Sequence, residues 1–183
     1  MILFCLPVFM QLKAQQLYQM KKGVIYIVRH AEKDAGNDPG LSAEGFQRSR
    51  DLDLALKQKV YSRRIDRVYV TQYRRTQLTA EPIRISFKTD TAHYMADVTG
   101  DGLIAAMERF KGKKDDHILI IGHSNTIPII LKRLGIYDYS KDIPDNEYDN
   151  LFTVTYRKGI PTLTVKKYGK PSAGVTGKMN ALQ

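Results

Sequence analysis

Three short polar clusters carry side chains that can grip an anion, and each follows an apolar run. Arg29-His30 follows Val24-Ile25-Tyr26-Ile27-Val28. Thr71-Gln72-Tyr73-Arg74-Arg75-Thr76 follows the run from Ile65 to Val70. Gly122-His123-Ser124-Asn125 follows Ile118-Leu119-Ile120-Ile121. An arginine offers a planar fork of donors that matches two phosphate oxygens. A neutral imidazole can attack phosphorus and carry the phosphoryl group for a time. A second imidazole, once protonated, neutralises charge on the equatorial oxygens. A helix starting just after His123 would add backbone N–H donors and a favourable dipole. Two arginines and two histidines in one pocket therefore suit phosphoryl transfer. Cationic side chains would fill the electrostatic role of a metal, so no metal or other cofactor is expected. Taken singly, each residue has a plainer reading. Arg75 could be a solvated helix residue, His123 a satisfied strand-end histidine, and Arg29-His30 a structural pair. Their shared position at strand ends is what favours a site.

Stepping from these residues to the elements that must hold them, the chain reads as alternating strands and helices. Residues 24–28 form a short, continuous apolar run, the mark of a strand buried on both faces. Ser42 is placed to cap a helix from about Ala43 to Lys59, in which Leu52, Leu54, Ala55 and Leu56 supply apolar surface. A strand follows over Ile65–Val70. The next helix spans Arg74–Ile85, with Pro82 expected to bend or end it. A weaker strand lies within Ile85–His93. Leu103, Ala106, Met107 and Phe110 recur at helical spacing. His117–Ile121 is the clearest strand, and Thr126–Leu134 a helix stopped by Gly135. Leu151–Tyr156 and Thr162–Lys167 suggest a closing hairpin around Lys158-Gly159-Ile160-Pro161. The pattern predicts an α/β protein, a three-layer αβα sandwich with a mainly parallel central sheet. In such a sheet the carboxyl ends of the strands share one edge, and ligands bind there.

Length and composition fit one domain of this kind. The chain has 183 residues, 43% of them hydrophobic and 26% charged, a globular balance rather than a disordered one. Cys5 is the only cysteine. That excludes a disulfide framework, cysteine zinc sites and a cysteine nucleophile in the body of the chain. The apolar run Met1–Met10 is too short to span a bilayer. With Gln11–Gln15 as a cleavage zone it is similar to a secretory signal, which predicts a periplasmic or secreted protein; the alternative is a cytoplasmic one. The division expected is a leader and linker over residues 1–22, a catalytic domain over 23–167 and a basic, fraying tail over 168–183. The net charge is +10. From Arg157 onward there are six basic residues and no acidic ones, but no aromatic interleaving, so a nucleic-acid partner is not expected.

At this point the residues resemble a family. Tyr26-Ile27-Val28-Arg29-His30-Ala31-Glu32-Lys33 is similar to the R-H-x-E signature of the histidine phosphatase superfamily, the phosphoglycerate-mutase-like group. Leu41-Ser42-Ala43-Glu44-Gly45 resembles the L-T-x-x-G that follows it. Thr71 to Ala80, with Arg75-Thr76 and Thr79-Ala80, resembles S-x-x-x-R-T-x-Q-T-A, and Gly122-His123-Ser124-Asn125-Thr126 resembles the second-histidine motif. Order and spacing agree over about Gly23 to Tyr156. The resemblance implies that His30 is the nucleophile that becomes phosphohistidine, while Arg29, Arg75 and His123 cradle the phosphoryl oxygens. Glu32 would support the site by orienting an arginine. Arg74 reads as a solvated helix start, and Ser124 and Asn125 as caps of the following helix.

The sequence also departs from that pattern. Leu78 stands where the family has glutamine, and Gly36, beside Asn37, stands where it has a phosphate-contacting Asn or Thr. The resemblance implies that a general acid would fall within Asp90–Gly102, with Asp90, Asp97 and Asp101 as candidates. Asp97 fits the position best, and its competing reading is a helix cap. Without an acid, the enzyme would favour substrates with good leaving groups. The short stretch from Thr76 to Asp116 implies an open pocket, and so a broad or macromolecular substrate. The expected activity is that of a metal-independent phosphomonoesterase acting on a phosphorylated small molecule or peptide. The alternatives are a mutase-like phosphotransferase and a non-catalytic phosphate- or polyanion-binding module.

Overall fold

The computed structural model describes residue 18 and residues 20–59, 64–110 and 117–172. The expected leader, its cleavage zone and residues 173–183 lie outside the described residues. Ten elements follow in chain order: β1 (Lys22–Arg29), α1 (Ala43–Lys59), β2 (Arg67–Thr71), α2 (Arg74–Phe87), β3 (Thr91–Tyr94), α3 (Asp101–Arg109), β4 (His117–Gly122), α4 (Ile127–Arg133), β5 (Asn150–Arg157) and β6 (Ile160–Lys167).

One sheet carries all six strands in the order β3-β2-β4-β1-β5-β6. β1, β4, β2 and β3 run parallel to their neighbours, while β5 and β6 run antiparallel on the far side of β1. Side chains alternate across β1. Ile25 and Ile27 pack with Leu103, Met107 and Ile130 of α3 and α4. Tyr26 and Val28 pack with Leu52, Leu56 and Ile83 of α1 and α2. Helices thus cover both faces, which is why the central strands read as unbroken apolar runs. The αβα sandwich expected from the pattern is the one observed.

The hairpin between β5 and β6 turns on Lys158 and Gly159, both at positive φ (53° and 83°), the backbone that a two-residue turn matching the strand twist requires. Pro82 does not end its helix: α2 continues through it to Phe87. Thr76, Thr79, Ala80 and Ile83 of this helix are all buried, and that packing outweighs the lost backbone bond. In α1, Leu52 and Leu56 are buried at i, i+4 while Leu54 is 55% exposed, so the stripe is narrower than the run of apolar residues suggested.

Packed residues lie on both sides of the span from 23 to 167. Tyr18 is buried and its N–H donates to the Arg133 carbonyl, so packing begins before residue 23. At the other end the segment expected to fray is packed as far as Ser172. Tyr168 and Ser172 are 4% and 5% exposed, and a Cβ on Gly169 would meet the Asp51 carboxylate at 2.8 Å.

Candidate active site

The carboxyl ends of β1, β2 and β4 bring the four singled-out residues together. The His30 N–H donates to the Gly122 carbonyl at 3.0 Å, which extends the β1–β4 pairing one residue past the strand. That bond sets the His30 and His123 rings side by side, with centroids 5.3 Å apart. Arg75, near the start of α2, places Nη2 3.4 Å from His123 Nδ1. A cavity of about 330 Å³ is lined by Arg29, His30, Arg75, His123, Lys33 and Asp97 together with Tyr73 and the Ala96–Val98 and Ser124–Thr126 turns.

The backbone assigns the proton on each imidazole. His30 Nδ1 lies 2.8 Å from the Ala31 carbonyl oxygen. A carbonyl only accepts, so Nδ1 carries the hydrogen and Nε2 keeps its lone pair. His123 has the reverse tautomer. The Arg75 guanidinium only donates, so His123 Nδ1 accepts from it, and Nε2–H donates to Thr71 Oγ1 at 3.1 Å. Burial pushes the His30 pKa down to about 3, opposed by its bond to Ala31 and assisted by His123, Arg29 and Arg75. Burial, then Arg75 and Arg29, push His123 down to about 4. Both rings are neutral at pH 7. The expectation of a protonated second histidine thus holds only when a dianion nearby raises its pKa.

Each arginine is held along an aromatic face. The Arg29 guanidinium lies 4.1 Å from the Tyr148 ring centroid, and Arg75 lies 4.3 Å from that of Tyr73. Arg29 Nη1 donates to the carbonyls of Pro144, Asp145 and Glu147 at 2.8, 3.0 and 3.3 Å. Arg75 Nη1 sits 3.8 Å from Asp38 Oδ1. The Nε atoms of both arginines are buried with no protein partner. An unpaired buried donor is costly, and two of them beside two histidines fit an oxyanion.

The three candidate acids separate. Asp97 lines the cavity, but its carboxylate works as a cap at the start of α3. It accepts from Thr99 N and Oγ1 at 2.8 and 2.6 Å, from Asp101 N at 3.2 Å and from Gly102 N at 2.8 Å. Burial would raise its pKa, yet the bonds from Thr99, Gly102 and Gly100 outweigh that and hold it below the ordinary carboxylate value. Asp101 is turned to Arg133 at 2.7 Å, and neither Asp101 nor Asp90 lines the cavity. Ser124 and Asn125 are not the caps of α4. Thr126 takes that position, and its Oγ1 accepts the His123 N–H at 3.0 Å. The N–H groups of Thr126 and Ile127 donate to the His123 carbonyl, so these two donors are already engaged by protein.

Glu32 orients an arginine as expected, but the arginine is Arg48 of α1. Arg48 Nε lies 2.7 and 2.8 Å from the two Glu32 oxygens. Gly45 explains itself by close approach: a Cβ there would fall 2.0 Å from the Glu32 carbonyl oxygen. Thr79 Oγ1 accepts the Ala31 N–H at 3.0 Å, which fixes the backbone beside the nucleophile candidate. The sequence reading missed Tyr73, Tyr148, Arg48, Lys33 and Asp38 as parts of this neighbourhood. Tyr73 sat inside a cluster already singled out, and its position before two arginines was a usable signal. Tyr148 and Arg48 are brought in by loop and helix packing that no local pattern announces. Asp38 Oδ1 accepts the Arg74 N–H at 3.0 Å and so ties the loop after β1 to the start of α2.

No protein-family model and no curated protein matches the sequence. Solved structures do match in fold. A structure from Agrobacterium tumefaciens assigned to phosphohistidine phosphatase SixA aligns with a TM-score of 0.59 at 18% identity, over 84% of this chain and 100% of the other. The protein histidine phosphatase SixA complexed with tungstate gives 0.57 at 22% identity, over 79% and 96%. Phosphoglycerate mutase from Plasmodium falciparum gives 0.52 at 16% identity, over 89% and 100%. The chain shares the fold of these phosphatase and phosphoglycerate mutase structures.

Proposed function

We propose that the chain is a metal-independent phosphomonoesterase that carries the phosphoryl group on His30 Nε2. The observation that carries this reading is the hydrogen bond from His30 Nδ1 to the Ala31 carbonyl, which leaves Nε2 as a neutral nucleophile in a cavity also lined by the Arg29 and Arg75 guanidinium groups. The Nε2 lone pair attacks phosphorus. The N–P bond forms as the P–O bond to the leaving group breaks, and its electron pair goes to the leaving oxygen. Arg29 and Arg75 hold the phosphoryl oxygens; the bound dianion draws a proton from solvent onto His123 Nδ1, which then donates to a phosphoryl oxygen instead of accepting from Arg75, and the proton returns to solvent when phosphate leaves. Water then attacks phosphorus, loses a proton to solvent, and returns the N–P pair to Nε2.

Asp97 enters this scheme as a cap rather than as an acid. Substrates whose leaving group departs without a carboxylic acid are therefore favoured: aryl phosphates, and phosphoramidates such as the phosphohistidine for which the Agrobacterium tumefaciens structure is named. Arg29, His30, Arg75 and His123 are the proposed catalytic residues. The apolar leader supports export of the protein, which N-terminal sequencing of the natural protein tests.

The deciding experiment is hydrolysis of an aryl phosphate by purified protein and by His30→Ala. Loss of at least a thousandfold in kcat, with loss of an acid-labile phosphoprotein label, is expected on the roughly 10³-fold or greater scale of removing a nucleophile. Turnover retained by the variant would refute the assignment.

A further inference from the structure

The segment Tyr168–Ser172 reaches the site from behind at two points. At the first, Ser172 Oγ accepts the Tyr148 N–H at 2.8 Å, and the Ser172 N–H donates to Asp149 Oδ2 at 3.1 Å. These bonds fix the backbone of Tyr148, whose ring carries the Arg29 guanidinium and stands 6.0 Å from the His30 ring. At the second, the carbonyls of Tyr168 and Lys170 accept from Arg48 Nη1 at 3.4 and 3.0 Å. The same guanidinium grips the Glu32 carboxylate, and Glu32 lies two residues after His30. The segment is itself anchored, because the Tyr168 N–H donates to the Asp149 carbonyl at 2.9 Å and Tyr168 is buried. None of its five residues lines the cavity of the two histidines. A segment that served packing alone would need only its apolar contacts. This one directs a hydroxyl and two carbonyls at residues that in turn hold the site.

We propose that Tyr168–Ser172 is a positioning strap for the phosphoryl site, acting through Tyr148 on Arg29 and through the Arg48–Glu32 pair on the loop after His30. The proposal rests on the phosphatase reading above. It makes Ser172 a positioning residue for Arg29, so its loss acts on phosphoryl binding and not on the bond-breaking step.

The test uses Ser172→Ala in the full chain, with tungstate as the phosphoryl probe and an aryl phosphate as substrate. The expected result is a rise of about fivefold in both tungstate Kd and KM, the size of one neutral hydrogen bond, with kcat within about twofold of wild type. Ser172→Thr, which keeps the acceptor, restores both. Arg48→Met cuts the second contact and lowers kcat about tenfold, since it frees the loop that carries His30. Wild-type Kd and KM in Ser172→Ala, with or without a lower Tm, would overturn the strap. If the wild-type protein binds tungstate but hydrolyses no ester, the phosphatase reading fails alone, and the ratio of the two Kd values still decides the strap.

Discussion

His30 and His123 are kept uncharged by burial and by two neighbouring guanidinium groups, and this has a consequence for stability. Their folded-state pKa values are depressed to about 3 and about 4, against about 6.5 in an unfolded chain. Below pH 6.5 the unfolded chain therefore binds protons that the folded chain refuses. Linkage then requires stability to be complete above about pH 6.5 and to fall as pH falls toward 4. Each histidine should cost about 2 kcal/mol between pH 6.5 and pH 5, from 1.4 kcal/mol per pH unit over that interval. Urea unfolding across this range checks the prediction. With both histidines replaced by asparagine the slope should largely vanish, because carboxylates titrate mainly below it. An unchanged slope in that double variant would show that the rings are not held neutral. Saturating tungstate should flatten the wild-type slope as well, since an anion beside His123 restores its affinity for a proton.

At the scale of elements, two short connections do the positioning, and each yields a prediction. Asp97 closes the turn into α3 through four hydrogen bonds, and Gly102 packs a bare Cα against the Met95 carbonyl, 2.3 Å from where a Cβ would lie. Asp97→Ala should cost about 1–2 kcal/mol of stability, the scale of a lost cap, and change kcat for an aryl phosphate less than about threefold. Parallel denaturation and turnover measurements separate cap from acid, and a hundredfold fall in kcat would restore Asp97 as the proton donor. Gly45→Ala acts on the other connection. Its Cβ would strike the Glu32 backbone, so α1 or the loop after His30 must move. A loss of about 1–3 kcal/mol is expected from overpacking, together with at least a tenfold fall in kcat/KM if His30 is the nucleophile as proposed, because His30 shifts with its loop. The elements themselves were largely legible beforehand. β1 and β4 announced themselves because burial on both faces leaves no polar positions, and α1 because Ser42 caps it: its Oγ accepts the Gly45 N–H at 3.2 Å. Pro82 misled, since local chemistry says nothing of the sheet face that holds α2 in place. The ends of the domain misled for the same reason: Gly, Pro and Ser read as a frayed tail until Tyr168 and Ser172 find partners 20 or so residues away, near Asp149.

For the whole molecule, the decisive fact is topological. β1, β2 and β4 are neighbours in space and parallel, so residues 29–30, 71–76 and 122–125 must emerge at one edge whatever lies between them in sequence. This is why four scattered side chains could be placed at one site from sequence, while Tyr148 and Arg48, which arrive from an antiparallel connection and a helix flank, could not. The same edge gathers charge. Arg29, Lys33 and Arg75 line one cavity, and among the described residues Asp97 is the acid that lines it with them, in a chain of net charge +10. On the proposed phosphatase reading, a dianionic substrate approaching that edge would meet a positive field, and the field weakens as the Debye length shrinks from about 30 Å at 0.01 M salt to about 8 Å at 0.15 M. Across that range kcat/KM for an aryl phosphate should fall by about threefold to tenfold while kcat stays level, because screening acts on encounter and not on the bound complex. Lys33 is the exposed member of the set, so Lys33→Gln should remove part of the salt dependence with little change in kcat. Stopped-flow or initial-rate measurements at two salt concentrations on wild type and variant read both effects, and a kcat/KM indifferent to salt would mean that the positive edge takes no part in capture.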